Sequence, residues 1–278
     1  MKREFIGYIL YHFGKIFTKQ EKFLSLYFHD PTPELFEQII KWCRNKGYRF
    51  ININECYHIL SNKIEVNEKL VYLSFDDGWN SNLKLLPIIE KYNVPITIFV
   101  ATEPINSGNY WWEYADKSGD RSKKASMKLL EHNQFVNEVQ KLKQTIALQR
   151  SSVTEEELQI LIAHPLVSIQ SHTVTHPILI NCSQKTLDRE LVDSKKFLED
   201  RTGEQIIAFS YPNGDVGDRE VVAVENAGYK IAFTTKSTAI NTAEPGSMFL
   251  IPRKAINTLG GKYENLAKII GFWQKIRL

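Results

Sequence analysis

Two aspartates, Asp76 and Asp77, stand side by side in 73-LSFDDGW-79, directly after an apolar run and directly before a glycine. Asp and Gly dominate turns, so a strand-ending turn accounts for such a pair by itself. A second pair, His172 and His176 in 171-SHTVTHP-177, has i, i+4 spacing, at which both imidazoles can reach one ion. One carboxylate and two imidazoles give three protein ligands and leave a position for water, the donor set of a catalytic Zn²⁺ site. Neighbouring residues at a strand end point in different directions, so one aspartate can ligate while the other acts as general base. An ion also offsets the repulsion between the two carboxylates. The Asp-x-Asp spacing of aspartyl-phosphate chemistry is absent, because Phe75 precedes the pair.

Residues so far apart in the chain need a scaffold that delivers them to one end. Short β-rich runs alternate with amphipathic stretches, the pattern of a parallel sheet with crossover helices. Strands are predicted in 23-FLSLYF-28, 48-YRFINI-53, 69-KLVYLSF-75, 94-VPITIFVA-101, 166-LVSIQ-170, 206-IIAFSYPNGD-215, 229-YKIAFTT-235 and 248-MFLIPRKAI-256. Helices are predicted from Pro33 to Lys46 with Thr32 as N-cap, from Asn82 to Tyr92 around Pro87, and from Lys185 to Arg201 ending at Thr202-Gly203. Both polar pairs then follow strands, where parallel α/β folds place their active sites. Residues 102–163 break the rhythm with an aromatic knot, 110-YWWEY-114, a Lys-rich turn and about two helices, the last with a Thr154/Glu157 capping box. They are read as an insertion covering the site.

Composition narrows the function. A formal net charge of +3 over 278 residues, without a long basic block, points away from nucleic acid. Cys43, Cys56 and Cys182 show no framework spacing and read as unpaired thiols. In 1-MKREFIGYILYHFGKIFTKQ-20, Phe5, Ile9, Phe13 and Ile16 recur at helical spacing beside Lys2, Arg3, Lys15 and Lys19. The segment makes a poor signal peptide and is too short to span a bilayer. It reads either as a helix packed on the domain or as a peripheral contact with an anionic membrane, and the expected location is cytoplasmic.

The two motifs together resemble the polysaccharide deacetylases, the NodB-homology group of carbohydrate esterase family 4, over roughly residues 25 to 256. That family's T-F-D-D-G appears as 74-SFDDG-78 and its H-[ST]-x-x-H as 172-HTVTH-176. The resemblance implies an α/β fold, a distorted (β/α)7 TIM-like barrel carrying the inserted segment, and a metal-dependent N-deacetylase. It divides the chain into an N-terminal helix (1–24), a barrel (25–260) and a C-terminal helix or tail (261–278). It implies Asp76 as general base and Asp77, His172 and His176 as ligands of a divalent metal, Zn²⁺ in the first place with Co²⁺ or Ni²⁺ as substitutes. The third motif, R-P-P-Y-G, aligns with 210-SYPNG-214, so Ser210 replaces an arginine and Asn213 an aromatic whose backbone N–H serves the oxyanion. Asn213 keeps that N–H, and Arg253 is the candidate to replace the arginine. The general acid that many members place in a C-terminal histidine has no counterpart after His176, which leaves His29 as substitute.

Tyr211, Pro212, Trp79 and Trp111 are the expected substrate-facing residues, with Tyr110 and Trp112 beside them; a role as core aromatics is the alternative. The expected partner is an amino-sugar glycan or a lipid-linked glycan precursor. A deformylase or other amide hydrolase of the same fold would share these residues, and a weakened sugar-binding relative is the non-enzymatic alternative.

Overall fold

The apolar runs form parallel strands that share one curled sheet: β1 (Phe23–Phe28), β2 (Tyr48–Ile51), β3 (Lys69–Phe75), β4 (Ile96–Val100), β5 (Val167–Ser171), β6 (Ala208–Ser210), β7 (Ile231–Phe233) and β8 (Lys254–Ala255). The computed structural model describes residues 2–18 and 20–273. Strand order is β7-β6-β5-β4-β3-β1-β8, and β8 lies against β1. The sheet curls back on itself because Ile251, just before β8, bridges to Phe233 of β7. β2 stands outside this ring: it pairs with Lys69–Tyr72 of β3, while β4 takes over at Ser74 and Phe75 on the same strand. This is the distorted seven-position barrel expected from the motifs.

The helices are α1 (Lys2–Phe17), α2 (Pro33–Asn45), α3 (Ile53–Ser61), α4 (Leu86–Tyr92), α5 (Glu103–Ser107), α6 (Trp111–Lys117), α7 (Lys123–Met127), α8 (His132–Thr145), α9 (Glu155–Ala163), α10 (Gln184–Thr202), α11 (Asp218–Asn226) and α12 (Lys262–Ile269). Their ends follow local chemistry. Thr32 caps α2 through its hydroxyl, and the α9 capping box is present. Gly203 closes α10 in the left-handed region. The expected strand 48–53 ends at Ile51 because Asn52 Oδ1 accepts from Glu55 N at 2.9 Å and starts α3. The helix expected around Pro87 is divided: a 3₁₀ stretch, Asn80–Leu85, precedes α4, whose first turn carries Pro87 where its missing N–H costs nothing. The insertion holds more helix than its sequence suggests, since the aromatic knot forms α6 and the Lys-rich turn forms α7.

Strand parity builds the interior. On β3, Val71, Leu73 and Phe75 join the large outer core under the helices, while Leu70 and Tyr72 pack inside the barrel with Phe23, Phe99, Ile231 and Phe233. Phe28, Phe36 and Phe75 meet edge and face on the outer side, fixing β1 and β3 against α2. The three cysteines are free and buried, as expected of reduced thiols.

Candidate active site

The inward parity of β3 continues one step past the strand. Ser74 and Asp76 both face Arg253, which lies inside the barrel with 0% of its surface exposed. Every N–H of this guanidinium is engaged. Nη1 donates to Asp76 Oδ1 at 2.7 Å and Ser74 Oγ at 3.0 Å; Nη2 donates to Asp76 Oδ2 at 2.8 Å and Ser210 Oγ at 2.7 Å; Nε donates to the Thr234 carbonyl at 3.2 Å. Tyr27 covers the guanidinium face at 4.5 Å. Burial opposes ionisation of Asp76, but the Arg253 charge and hydrogen bonds, with the nearby imidazoles, outweigh it and hold the carboxyl below its ordinary range. Ser210, where the family motif has arginine, receives one hydrogen bond from the arginine that comes instead from the β7–β8 side.

Asp77 would point outward by parity, yet its φ of 78° turns the chain back and carries its carboxylate to the two histidines. Asp77 Oδ1 lies 3.4 Å from His172 Nε2 and 3.4 Å from His176 Nε2, and all three residues are buried. His172 Nδ1 is 2.7 Å from the Ser210 carbonyl, which only accepts, so Nδ1 carries a proton and Nε2 is the ring nitrogen left to ligate an ion. His176 is neutral, pulled down to about 3 by burial and by repulsion from His172. Asp77 is held far below its ordinary range: burial opposes ionisation, and the hydrogen bond and charges from the imidazoles reverse it. Three potential ligand atoms, one from each residue, thus converge within 4.8 Å of one another. Two imidazole nitrogens and a carboxylate oxygen match the first shell of Zn²⁺ or a related ion. Trp79 Nε1 donates to Asp77 Oδ2 at 2.9 Å and fixes the carboxylate from the other side.

The histidine loop is strained and held. Thr173 and His176 both have positive φ, at 73° and 52°. Glu190 of α10 accepts from the N–H groups of Val174 at 2.8 Å and Thr175 at 2.9 Å, and from the Thr175 hydroxyl at 2.7 Å. Trp111 Nε1 donates to the His176 carbonyl at 3.0 Å.

Asp76, Asp77, His172 and His176 open into a cavity of about 670 Å³ also lined by Tyr27, His29, Trp79, Trp111, Trp112, Lys128 and Asn213. That size suits a small-ligand or chain-segment site. Asn213 has a positive φ of 58°, and the following Gly214 is obligatory because a Cβ there would collide with Thr235 Oγ1. Tyr211 and Pro212 are buried beneath this turn and are not among the cavity-lining residues; Tyr211 packs on Phe209 instead. Trp79 and Trp112 are partly exposed with rings 6.5 Å apart, whereas Trp111 is 4% exposed. Tyr110 lies behind them, stacked on Trp112 at 4.7 Å. His29 is half-buried on the cavity wall beside Tyr27.

Two residues went unnoticed in the sequence. Lys128, after α7, reaches across the mouth to donate to Asn213 Oδ1 at 2.6 Å, and burial lowers its pKa. Nothing in its Lys-rich neighbourhood singles it out. Glu190 did leave a signal, a charged residue in the apolar stripe Leu187, Leu191, Leu198 of α10.

The sequence model of the polysaccharide deacetylases matches residues 63–232. The chain is 23% identical over 269 residues to the poly-beta-1,6-N-acetyl-D-glucosamine N-deacetylase of Staphylococcus aureus, covering 96% of this chain and 78% of that protein. It is 25% identical over 205 residues to YxkH of Bacillus subtilis, covering 73% of this chain and 58% of YxkH, so it spans little more than half of that relative. Among solved structures, the deacetylase PplD of Streptococcus pyogenes superposes with a TM-score of 0.65 at 22% identity over 91% of this chain and 99% of PplD. IcaB of Ammonifex degensii gives 0.67 at 17% identity over 92% and 98%.

Proposed function

The chain belongs to the polysaccharide deacetylase family, and on that premise we propose that it hydrolyses N-acetyl groups of an amino-sugar polymer, the β-1,6-linked N-acetylglucosamine named for its staphylococcal relative being the substrate class. The observation that carries this reading is the juxtaposition of two unlike aspartates: Asp77 facing two imidazole lone pairs, and Asp76 held ionised by a fully engaged arginine in the same cavity.

Asp77, His172 and His176 would hold a divalent ion, Zn²⁺ in the first place. Bound there, it would supply a Lewis acid that polarises the amide carbonyl and acidifies water. Asp76 accepts a proton as the water oxygen adds to the carbonyl carbon. Arg253 keeps that carboxylate ionised and oriented, the part an arginine of the third motif plays in the family. The Asn213 N–H donates to the oxyanion. The C–N bond then breaks, its electron pair stays on nitrogen, and the nitrogen takes a proton as acetate leaves. His29 and Lys128 on the cavity wall are the candidates to deliver it. Trp79 and Trp112 offer partly exposed aromatic faces against which a pyranose can lie.

The test is acetate release from N-acetylglucosamine oligomers, paired with metal content. Release that stops with chelator and returns with Zn²⁺ or Co²⁺ supports the reading. Release that survives complete metal removal, or no turnover in metal-replete protein, overturns it.

A further inference from the structure

Helix α1 buries one face and leaves the other bare. Its inner side is built for close approach: a Cβ at Gly7 would collide with the Glu264 backbone, and one at Gly14 would sit 2.6 Å from the Phe272 ring. Tyr11 hydroxyl accepts from Trp42 Nε1 at 2.7 Å, and Glu4 accepts from the Tyr263 and Glu264 N–H groups, capping α12. The outer side carries Phe5, Tyr8, Ile9, Phe13, Ile16 and Phe17, with exposures of 66%, 46%, 49%, 56%, 71% and 65%. At about 100° per residue these six fall on one arc of roughly half the helix circumference. No other described element exposes so many large apolar side chains together.

The charges say what covers this stripe. By the same spacing, Lys15 lies just beyond one edge of the arc and Arg3 beyond the other. Glu4, the only acid of α1, is engaged in capping α12. Arg3 pairs with Glu264 at 2.7 Å, but that carboxylate also takes Lys268 at 2.9 Å, so the group keeps a net positive charge. An apolar stripe between cationic borders is the pattern of a helix lying in an anionic lipid interface. A second copy of the chain would set cation against cation along both borders, because a two-fold contact pairs the same patch with itself. At 16 residues α1 is about 24 Å long, short of the roughly 30 Å hydrocarbon core, and no helix among the described residues is long and apolar enough to cross a membrane.

We propose that α1 docks this protein flat on an anionic membrane surface through its Phe5–Phe17 stripe. Through α12 the docking helix is also linked to the cavity. The segment before α12 lines the cavity through Asn257, Thr258 and the 96% exposed Leu259, and Glu4 touches it at Gly261.

The test is co-sedimentation of the full chain with vesicles of equal parts phosphatidylglycerol and phosphatidylcholine, against pure phosphatidylcholine. The expected result is binding to the first, at least about tenfold weaker binding to the second, and weakening as salt rises. The triple variant Phe5→Ser/Ile9→Ser/Phe13→Ser should lose binding about tenfold or more with an unchanged melting temperature, since these side chains are exposed; Lys15→Glu should weaken only the anionic component. Equal binding to both vesicles, undiminished binding of the triple variant, or a stripe-dependent dimer that ignores vesicles would each overturn the proposal.

Discussion

Replacing Arg253 by methionine removes a buried cation while keeping much of its volume. Both hydrogen bonds that the Asp76 carboxylate receives come from this residue, at 2.7 and 2.8 Å, and Asp76 is 3% exposed. The variant therefore strands a carboxylate in the barrel. Breaking a buried pair from one side costs about 3–5 kcal/mol. For a chain of this length that corresponds to a melting temperature lower by roughly 6–20 °C. Adding Asp76→Asn removes the stranded charge, so the double variant should recover part of the loss, with a coupling of about 2 kcal/mol or more. Activity should fall by at least about 100-fold, the usual worth of a positioned general base. Arg253→Lys keeps the charge but has three donors for five bonds, and should be intermediate in both respects. The assay is urea unfolding of metal-free protein for wild type, both single variants and the double, with acetate release measured in parallel. Additive effects, or an Arg253→Met variant within about 1 kcal/mol of wild type, would refute the assignment of Arg253 as the counter-charge of Asp76.

Asp76→Asn should lose turnover by about 100-fold or more yet retain stoichiometric metal, whereas His172→Ala should lose both; metal analysis beside acetate release separates them. Glu190→Gln keeps an acceptor but drops the charge that gathers the Val174 and Thr175 N–H groups, so metal affinity should fall about 10- to 100-fold while Co²⁺ spectra of saturated protein stay similar. Lys128→Met and His29→Gln address the leaving-group proton: whichever supplies it, its loss should lower kcat by about 100-fold with little change in KM, and a purely structural residue would instead lower the melting temperature. Iodoacetamide at pH 8 should leave the folded protein unmodified, because burial raises Cys43, Cys56 and Cys182, the last to about 12; all three should react in denaturant.

The chemistry of this site was legible where it depends on neighbours in sequence. Asp76-Asp77 after an apolar run and His172/His176 four apart place two polar pairs at strand ends, because strand parity and local spacing fix where such side chains can point, and the fold brings Asp77, His172 and His176 together. The parallel fold was legible for the same reason, since alternating β-rich and amphipathic runs require crossover helices. Local capping residues likewise marked α2, α9 and α10. The exact turn of the chain at Asp77 was not, because a positive φ in a non-glycine residue is imposed by its surroundings. Tyr211 and Pro212 were expected as substrate contacts from their place in a motif, and only the fold shows both buried and off the cavity lining, Tyr211 packed on Phe209. Arg253 could be nominated from sequence but not joined to Asp76, a contact across 177 residues that exists because β8 lies beside β1 and the sheet closes. Lys128 and Glu190 reach the site from the insertion and from α10, positions that follow from how helices pack on the barrel. The helical period of α1 was plain in the sequence, yet which of its apolar residues meet the protein and which meet solvent was decided by Gly7 and Gly14, whose missing side chains let one face approach α12 and left the other bare.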